Sequence, residues 1–523
     1  MHRDPLAKMK LRKVLFLSAD QWRGECLSLL GHPLARTPNL DALAKDGVLF
    51  TRHYAATAPC GPARTSMLTG LYLMNHRCGR NGTPVDARFT NLALEVRKAG
   101  YEPTLFGYTD TAPDPRRFAP GDPTLTTYEG VMPGFFVGMQ LPEHMAPWIA
   151  DLKARGYDLP DGRWSVYKPS PNFRPGPDQS AFAAPPVFPS EHSETEFMAE
   201  SIRRFLSVRR DENWFVHGVF LRPHPPFIAP EPFNRLIDPA EVPLPARRAS
   251  IAQESALHPY LAYRISRMGA AGLITDDPLD TRALNERDLR QIRATYFGLI
   301  AEADAGIGRV IQHLKQTGEY DETLIVFTVD HGELLGDHWL WGKEGWHDPA
   351  YHIPLIIRDP RPKAARGKVV DAFTEAVDLM PTILDWLGVE VPLQCDGESL
   401  LPFLEDQHPA RWRSEAHFEY DFRDIVNQGP ETALGITSDQ CSLAVIRDRE
   451  WKYVHFPALP PLLFNLREDP NEFVNRAEEP DCRDIVLHYT RKMLSWRMEQ
   501  ADRTLARTYL TADGPFERRG PRR

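Results

Sequence analysis

The chain has 523 residues, 42% of them hydrophobic and 25% charged, with a formal net charge of −9. That is far more chain than one small core requires, and the composition is that of a globular enzyme built as one large domain with a smaller one. The mild acidity, with no long basic run before the terminal "ERRGPRR", argues against nucleic acid as a partner. Six cysteines at irregular spacings without a CxxC pair argue against a disulfide framework or a zinc ribbon.

The N-terminus "MHRDPLAKMKLRKVLFLSADQW" imitates a secretory leader, but its apolar run Val14 to Leu17 is shorter than the ~7–15 residues such a leader needs and runs straight into Asp20 and Gln21. No apolar stretch approaches the ~20 residues of a membrane span. These features read as a cytoplasmic protein without a membrane partner, in a reducing compartment, whose first apolar run is a buried strand. Three more β-branched or aromatic runs end abruptly in polar residues: "PTLFGYTD" at Tyr108 and Asp110, "NWFVHGVFLRPHPPF" near His224, and "ETLIVFTVDHGE" at Asp330 and His331. This predicts an α/β domain with a mostly parallel sheet, in which ligands bind outside the carboxyl ends of the strands.

Between the strands, "TPNLDALAKDG" predicts a helix with Thr37 as N-cap, Pro38 at its first position and Gly47 beyond its end. "AVDLMPTILDWLG" predicts a helix interrupted by Pro381 and stopped by Gly388. The stretch 113–192, rich in proline, glycine and aromatic residues, reads as insertions over the strand ends, where substrates would be selected. Beyond about residue 400, "CSLAVIRDREWKYVHF" and "PLLFNLREDPNE" predict a small antiparallel sheet, followed by a last helix around "LHYTRKMLSWRMEQ". The division is therefore 1–400 for the catalytic α/β domain and 401–523 for a C-terminal α+β part.

A chain sparing in cysteine places one in "CGPARTSMLTG", at the start of a helix. Taken alone, Cys60 reads as a small buried hydrophobe. The longer string "CGPARTSMLTGLY" resembles the signature of the sulfatases, in which this cysteine is oxidised by a maturation enzyme to formylglycine. The resemblance extends over most of the chain, through "ADQWR", "TPNLDALAKDGVLF", "RPHPPF", "VFTVDHGELLGDH", "DLMPTILDWLG" and "LFNLREDPNEFVN". Within the alkaline phosphatase superfamily it is most similar to the phosphonate monoester hydrolase and phosphodiesterase branch, through "CGPARTSMLTGLYLMNHR", "FEYDFRD" and "WKYVHFPALPP". It implies an alkaline phosphatase-like fold with a large mixed sheet flanked by helices and a smaller C-terminal antiparallel sheet.

The resemblance also implies a mechanism. Hydrated formylglycine offers two geminal hydroxyls, one to attack phosphorus or sulfur and one whose deprotonation expels the product by collapse of the hemiacetal ester. Asp20, Gln21, Asp330 and His331, together with residue 60, are the implied metal ligands. Sulfatases typically carry aspartate and asparagine where this chain has Gln21 and His331; the imidazole shifts the expectation from Ca²⁺ toward Mn²⁺, with Ca²⁺, Fe²⁺ and Zn²⁺ as alternatives. Arg64 and Lys343 are implied as cations around the nucleophile and ester oxygens, His224 as general acid, and Asn81 and Tyr108 as contacts to the bound anion. His76, His338 and His352 are read as loop or satisfied-core histidines.

In the branch, threonine stands where this chain has Asp110. A carboxylate there lies apart from the anion, pairs with a lysine or arginine, or helps choose a substrate with a cationic leaving group. The expected activity is hydrolysis of monoanionic phosphodiesters and phosphonate monoesters with side activity on sulfate esters. Two alternatives stand beside it: an arylsulfatase, and a non-catalytic metal-binding relative. The resembling branch implies a homo-oligomer, a tetramer, to which residues after about 500 contribute.

Overall fold

The computed structural model describes residues 12–142, 144–159, 164–270 and 279–517. Most of the leader-like N-terminus (1–11) and the end of the expected interface tail (518–523) lie outside the described residues. Eight strands form one sheet: β1 (Lys13–Asp20), β2 (Val48–Tyr54), β3 (Pro103–Gly107), β4 (Phe136–Gln140), β5 (Trp214–Pro223), β6 (Thr323–Val329), β7 (His352–Arg358) and β8 (Lys368–Glu375), in the order β4-β3-β5-β1-β6-β7-β2-β8. Every neighbouring pair is parallel except those of β7, which runs antiparallel to β6 and β2.

Strand β1 is buried along its whole length. It reads as an unbroken apolar run because helices cover both of its faces. Leu15 and Leu17 join the core beneath the helices Glu194–Val208 and Glu286–Thr317, while Val14 and Phe16 join that beneath Cys60–Thr69 and Leu379–Leu387. Ser18 of β1 stands level with Val219 of β5 and Thr328 of β6, so three central strands end together. Beside β5 runs β3, whose last residue directly precedes Tyr108. The four runs that the sequence ends in polar residues are thus four adjacent parallel strands.

Of the local readings of the helices, two hold in position and one needs correction. Thr37 precedes the helix Pro38–Lys45 but makes no side-chain cap; its hydroxyl is engaged by Ser28 and donates to Asp41. Gly47 stands just beyond the end of that helix, as expected, where a Cβ would stand 2.6 Å from the Ile357 carbonyl oxygen. Pro381 does not interrupt its helix: it lies in the first turn of Leu379–Leu387, where a missing N–H costs nothing, and Gly388 closes the helix at φ 74°. In addition, the irregular stretch 113–192 contributes a short edge strand, β4, that the sequence pattern does not reveal.

A second, antiparallel sheet has the order β12-β11-β10-β9, from β9 (Ala416–Asp421), β10 (Ser442–Arg447), β11 (Trp451–His455) and β12 (Leu462–Asn465). The helix Arg483–Glu499 packs Tyr489, Met493 and Trp496 against it. This sheet is tied to the first by the Glu419 amide, which donates to the Ala56 carbonyl at 3.0 Å. After the helix comes a hairpin of β13 (Thr508–Thr511) and β14 (Gly514–Glu517), with Tyr509, Leu510 and Phe516 exposed. Among the described residues no helix is long and apolar enough to cross a membrane, and all six cysteines are buried free thiols.

Candidate active site

Cys60 is the first residue of the helix Cys60–Thr69, every residue of which is buried. Pro59 before it offers no side-chain cap. Asn81 supplies one from another loop, its Oδ1 accepting the Gly61 amide at 2.9 Å. Glycine is required at 61 because a Cβ would stand 2.8 Å from the Asp110 carbonyl oxygen. These packed segments set the Cys60 side chain against the ends of β1 and β6.

There, candidate donor atoms of Asp20, Cys60, Asp330 and His331 lie within 4.8 Å of one another. The thiol is 3.2 Å from His331 Nε2 and 4.0 Å from Asp20 Oδ1. His331 Nδ1 donates to the Gly332 carbonyl at 3.0 Å, leaving the Nε2 lone pair turned to the cluster. Burial, helped by Lys343, holds this imidazole well below its ordinary pKa and therefore neutral. Burial, with Asp20 as neighbour, pushes Asp330 above the usual carboxylate range, whereas the charges around Asp20 outweigh its burial and keep it ionised. Two crowded carboxylate groups, a neutral imidazole nitrogen and a position-60 ligand form a donor set that fits one divalent cation. Burial and then the Asp20 charge push the Cys60 thiol well above the usual range, so the unmodified side chain is held protonated.

Arg64, one turn along the helix from Cys60, is 1% exposed and binds three carboxylates: Asp20, Asp330 at 2.8 Å, and Asp110. Its guanidinium also stacks 4.2 Å from the Tyr108 ring centroid, and the Tyr108 hydroxyl donates to Asp20 at 2.9 Å. Of the three readings left open for Asp110, the structure has the arginine pair. Lys343 Nζ donates to Gln21 Oε1 at 2.7 Å. The carboxylate neighbours Asp20 and Asp330 oppose the burial that would lower it, so it stays a cation. His224 follows β5; its Nδ1 donates to the Pro225 carbonyl at 2.6 Å, and its ring stacks 6.1 Å from Trp164. Burial, opposed by Asp20, brings His224 down to about 4.

Asp20, Cys60, Arg64, Tyr108, Asp110, Asp330 and His331 thus form one contact network, with Gln21 and Lys343 joined to it and Asn81 bound to the backbone beside Cys60. His76, His338 and His352 are hydrogen-bonded elsewhere, to Ser66, Glu254 and the Thr51 carbonyl. Sequence reasoning missed Glu333 and Arg23. Both sit in strings that carry the resemblance, "VFTVDHGELLGDH" and "ADQWR", but neither lies at the end of a strand.

A nucleophile position on a helix N-terminus, facing a divalent-cation donor set at the ends of parallel strands, defines a hydrolase of the alkaline phosphatase superfamily. The chain belongs to its sulfatase family: residues 12–389 match the family described as Sulfatase, and residues 336–499 match the one described as N-sulphoglucosamine sulphohydrolase, C-terminal. It is 49% identical to the phosphonate monoester hydrolase of Agrobacterium radiobacter, with a TM-score of 0.93 over 97% of this chain and 100% of that one. The phosphonate monoester hydrolase of Silicibacter pomeroyi is 42% identical, with a TM-score of 0.91 over 97% and 99%. A multifunctional alkaline phosphatase superfamily protein of Trinickia caryophylli, PehA, is 42% identical over 95% of this chain and 97% of its own length.

Proposed function

We propose that the protein is a metal- and formylglycine-dependent hydrolase of monoanionic esters, namely phosphonate monoesters and phosphodiesters, with side activity on sulfate esters. The observation that carries this reading is the Cys60 side chain, 3.2 Å from His331 Nε2 within the Asp20, Asp330, His331 cluster, in a chain so similar to two phosphonate monoester hydrolases. A buried thiol held protonated is a poor nucleophile as it stands, so the attacking hydroxyl would come from conversion of Cys60 by a maturation enzyme.

A divalent cation, Mn²⁺ by its nitrogen donor, would supply the charge that activates a hydroxyl at position 60. Asp20, Asp330 and His331 would hold it, with Gln21 adding an amide oxygen. Arg64 and Lys343 balance negative charge on the ester oxygens as it develops. Asn81 holds the backbone beside residue 60, and Tyr108 orients Asp20; both are also assigned to the bound anion. His224 would hand a proton to the leaving oxygen, its Nδ1 fixed by Pro225 so that Nε2 is the working nitrogen. A bound anion beside the ring raises its proton affinity from the low value set by burial. Asp110 offsets one positive charge, which favours singly charged esters over dianions.

We keep the division into a catalytic part, 1–400, and a C-terminal part, 401–523, and read the chain as a cytoplasmic homo-oligomer, a tetramer, without nucleic-acid or membrane partners. Mass analysis of the peptide around residue 60, followed by kcat/KM for matched aryl esters, tests the reading. The diester and phosphonate monoester monoanions should exceed the phosphate monoester dianion. Preference for the dianion, or for the aryl sulfate over both, overturns it. Lys343→Ala should lower turnover by roughly 10²–10³-fold, the range for loss of a preorganised oxyanion donor.

A further inference from the structure

Gln21 is held in an unusual posture. Its backbone sits in the left-handed region at φ 68°, fixed by the amide donating to Asp330 Oδ1 at 3.2 Å and by the Tyr296 hydroxyl donating to its carbonyl at 3.0 Å. Its side chain spans two groups with opposite demands. Lys343 Nζ can only donate, and meets Oε1; the Glu333 carboxylate, when ionised, can only accept, and meets Nε2. Both partners therefore require the same orientation of the carboxamide.

Glu333 is itself clamped. It is fully buried. Its Oε1 accepts the Leu335 and Gly342 amides at 2.8 and 2.7 Å, closing the loop that carries Lys343, while Oε2 remains for Gln21. Arg23 fastens the loop from β1's side, binding the carbonyls of residues 333 and 334 and Asp337 Oδ2 at 2.7 Å. The loop thus presents one carboxylate oxygen to the amide nitrogen of Gln21 and one ammonium to its oxygen.

We propose that Glu333 is a positioning residue: it fixes the Gln21 carboxamide with its oxygen turned toward Lys343 and its nitrogen toward Glu333, so that the oxygen is the atom left to serve the metal. Without it, the amide can flip and present N–H donors to a cation and an ammonium, both of which repel them. Glu333 acts only through Gln21 and the Lys343 loop. The proposal rests on the metal-centre reading given above.

The test is a polarity exchange in the full-length, chelator-stripped protein, with Mn²⁺ binding followed by calorimetry and kcat and KM measured separately. Glu333→Gln keeps the shape; with two backbone amides claiming its oxygen, its new NH₂ group faces the NH₂ group of Gln21. Mn²⁺ affinity should fall about 10–100-fold, the range for losing a group that orients a metal ligand, with kcat lowered more than KM is raised. Adding Gln21→Glu restores a matched pair, since the amide at 333 then donates to a carboxylate at 21 whose other oxygen still faces Lys343. The double variant should regain at least tenfold of the lost affinity. Unchanged Mn²⁺ binding in a folded Glu333→Gln variant overturns the proposal, as does a double variant no better than the single one. If both variants unfold, Glu333 is only scaffold and the proposal also fails. A wild-type protein that binds no Mn²⁺ or other divalent ion sinks the metal reading itself, a different result from binding that is indifferent to residue 333.

Discussion

Asp110 and Arg64 form a buried ion pair beside Cys60, with Asp110 Oδ2 accepting from Arg64 Nη1 and the two side chains 6% and 1% exposed. The same guanidinium reaches Asp20 and Asp330, so among the described residues Asp110 is the one carboxylate partner of Arg64 outside the metal-donor cluster. Its oxygen Oδ1 is buried and accepts no hydrogen bond among the described residues. Among the described residues, Arg64 is therefore the one side-chain donor to the Asp110 carboxylate.

That charge can be titrated. Burial, helped by Asp20 and Glu129 and opposed by Arg64, pushes Asp110 up to about 6. Above that pH it is ionised and offsets Arg64; below it, the proton returns and the pocket gains a unit of positive charge. Sulfate, a dianion throughout, should therefore inhibit several-fold more strongly at pH 5 than at pH 7.5. In Asp110→Asn, inhibition should be stronger at pH 7.5 and lose this part of the pH dependence. Inhibition constants at fixed ionic strength decide it; the same slope in both proteins places the carboxylate outside the anion's field.

Residue 60 gives the second expectation. Cys60 should be found converted to formylglycine, and Cys60→Ala or Cys60→Ser should lose most turnover with the fold intact. Peptide mass and circular dichroism check the two halves. Full activity in a preparation containing only the thiol contradicts the assignment.

Removing a metal ligand should remove metal and activity together. Asp330→Ala deletes a charged donor at the end of β6, and elemental analysis should find the divalent ion gone. A chelator should silence the wild type, and Mn²⁺ should restore it. Metal retained at full occupancy in Asp330→Ala refutes the ligand set.

The role of His224 is read from the leaving group. If it delivers the proton, His224→Ala should cost little on a nitrophenyl ester, whose leaving oxygen needs no proton, and about 10²–10⁴-fold on an alkyl ester, the usual span of general acid catalysis. Equal losses on both would make His224 a scaffold for Trp164.

The hairpin β13–β14 leaves Tyr509, Leu510 and Phe516 between 60% and 77% exposed. Two strands alone are marginal in water, so this element is expected to dock on another copy of the chain. Deleting residues 501–523 should lower the mass found by light scattering at micromolar concentration. A full-length protein that is already monomeric there refutes the oligomer.

The sequence by itself determined four of the eight strands of the large sheet, because β1, β3, β5 and β6 carry apolar runs that end in polar residues; β2, β4, β7 and β8 gave no such signal. It also placed Asp20, Asp330 and His331 at strand ends where they could meet, whereas the role of Cys60 came from the longer string around it and its family resemblance. Gln21 and Lys343 were legible only through resemblance, since a lone amide and a loop lysine carry no period. What only the tertiary structure decided is how these residues meet: the level register of β1, β5 and β6 brings Asp20 and Asp330 under Arg64, 44 and 266 residues from it along the chain. The pairing of Asp110 with Arg64, and the clasp of Glu333 on Gln21 across 312 residues, are contacts of buried polar groups. Such contacts leave no local pattern, because each partner is chosen by the geometry of the fold and not by its neighbours in sequence.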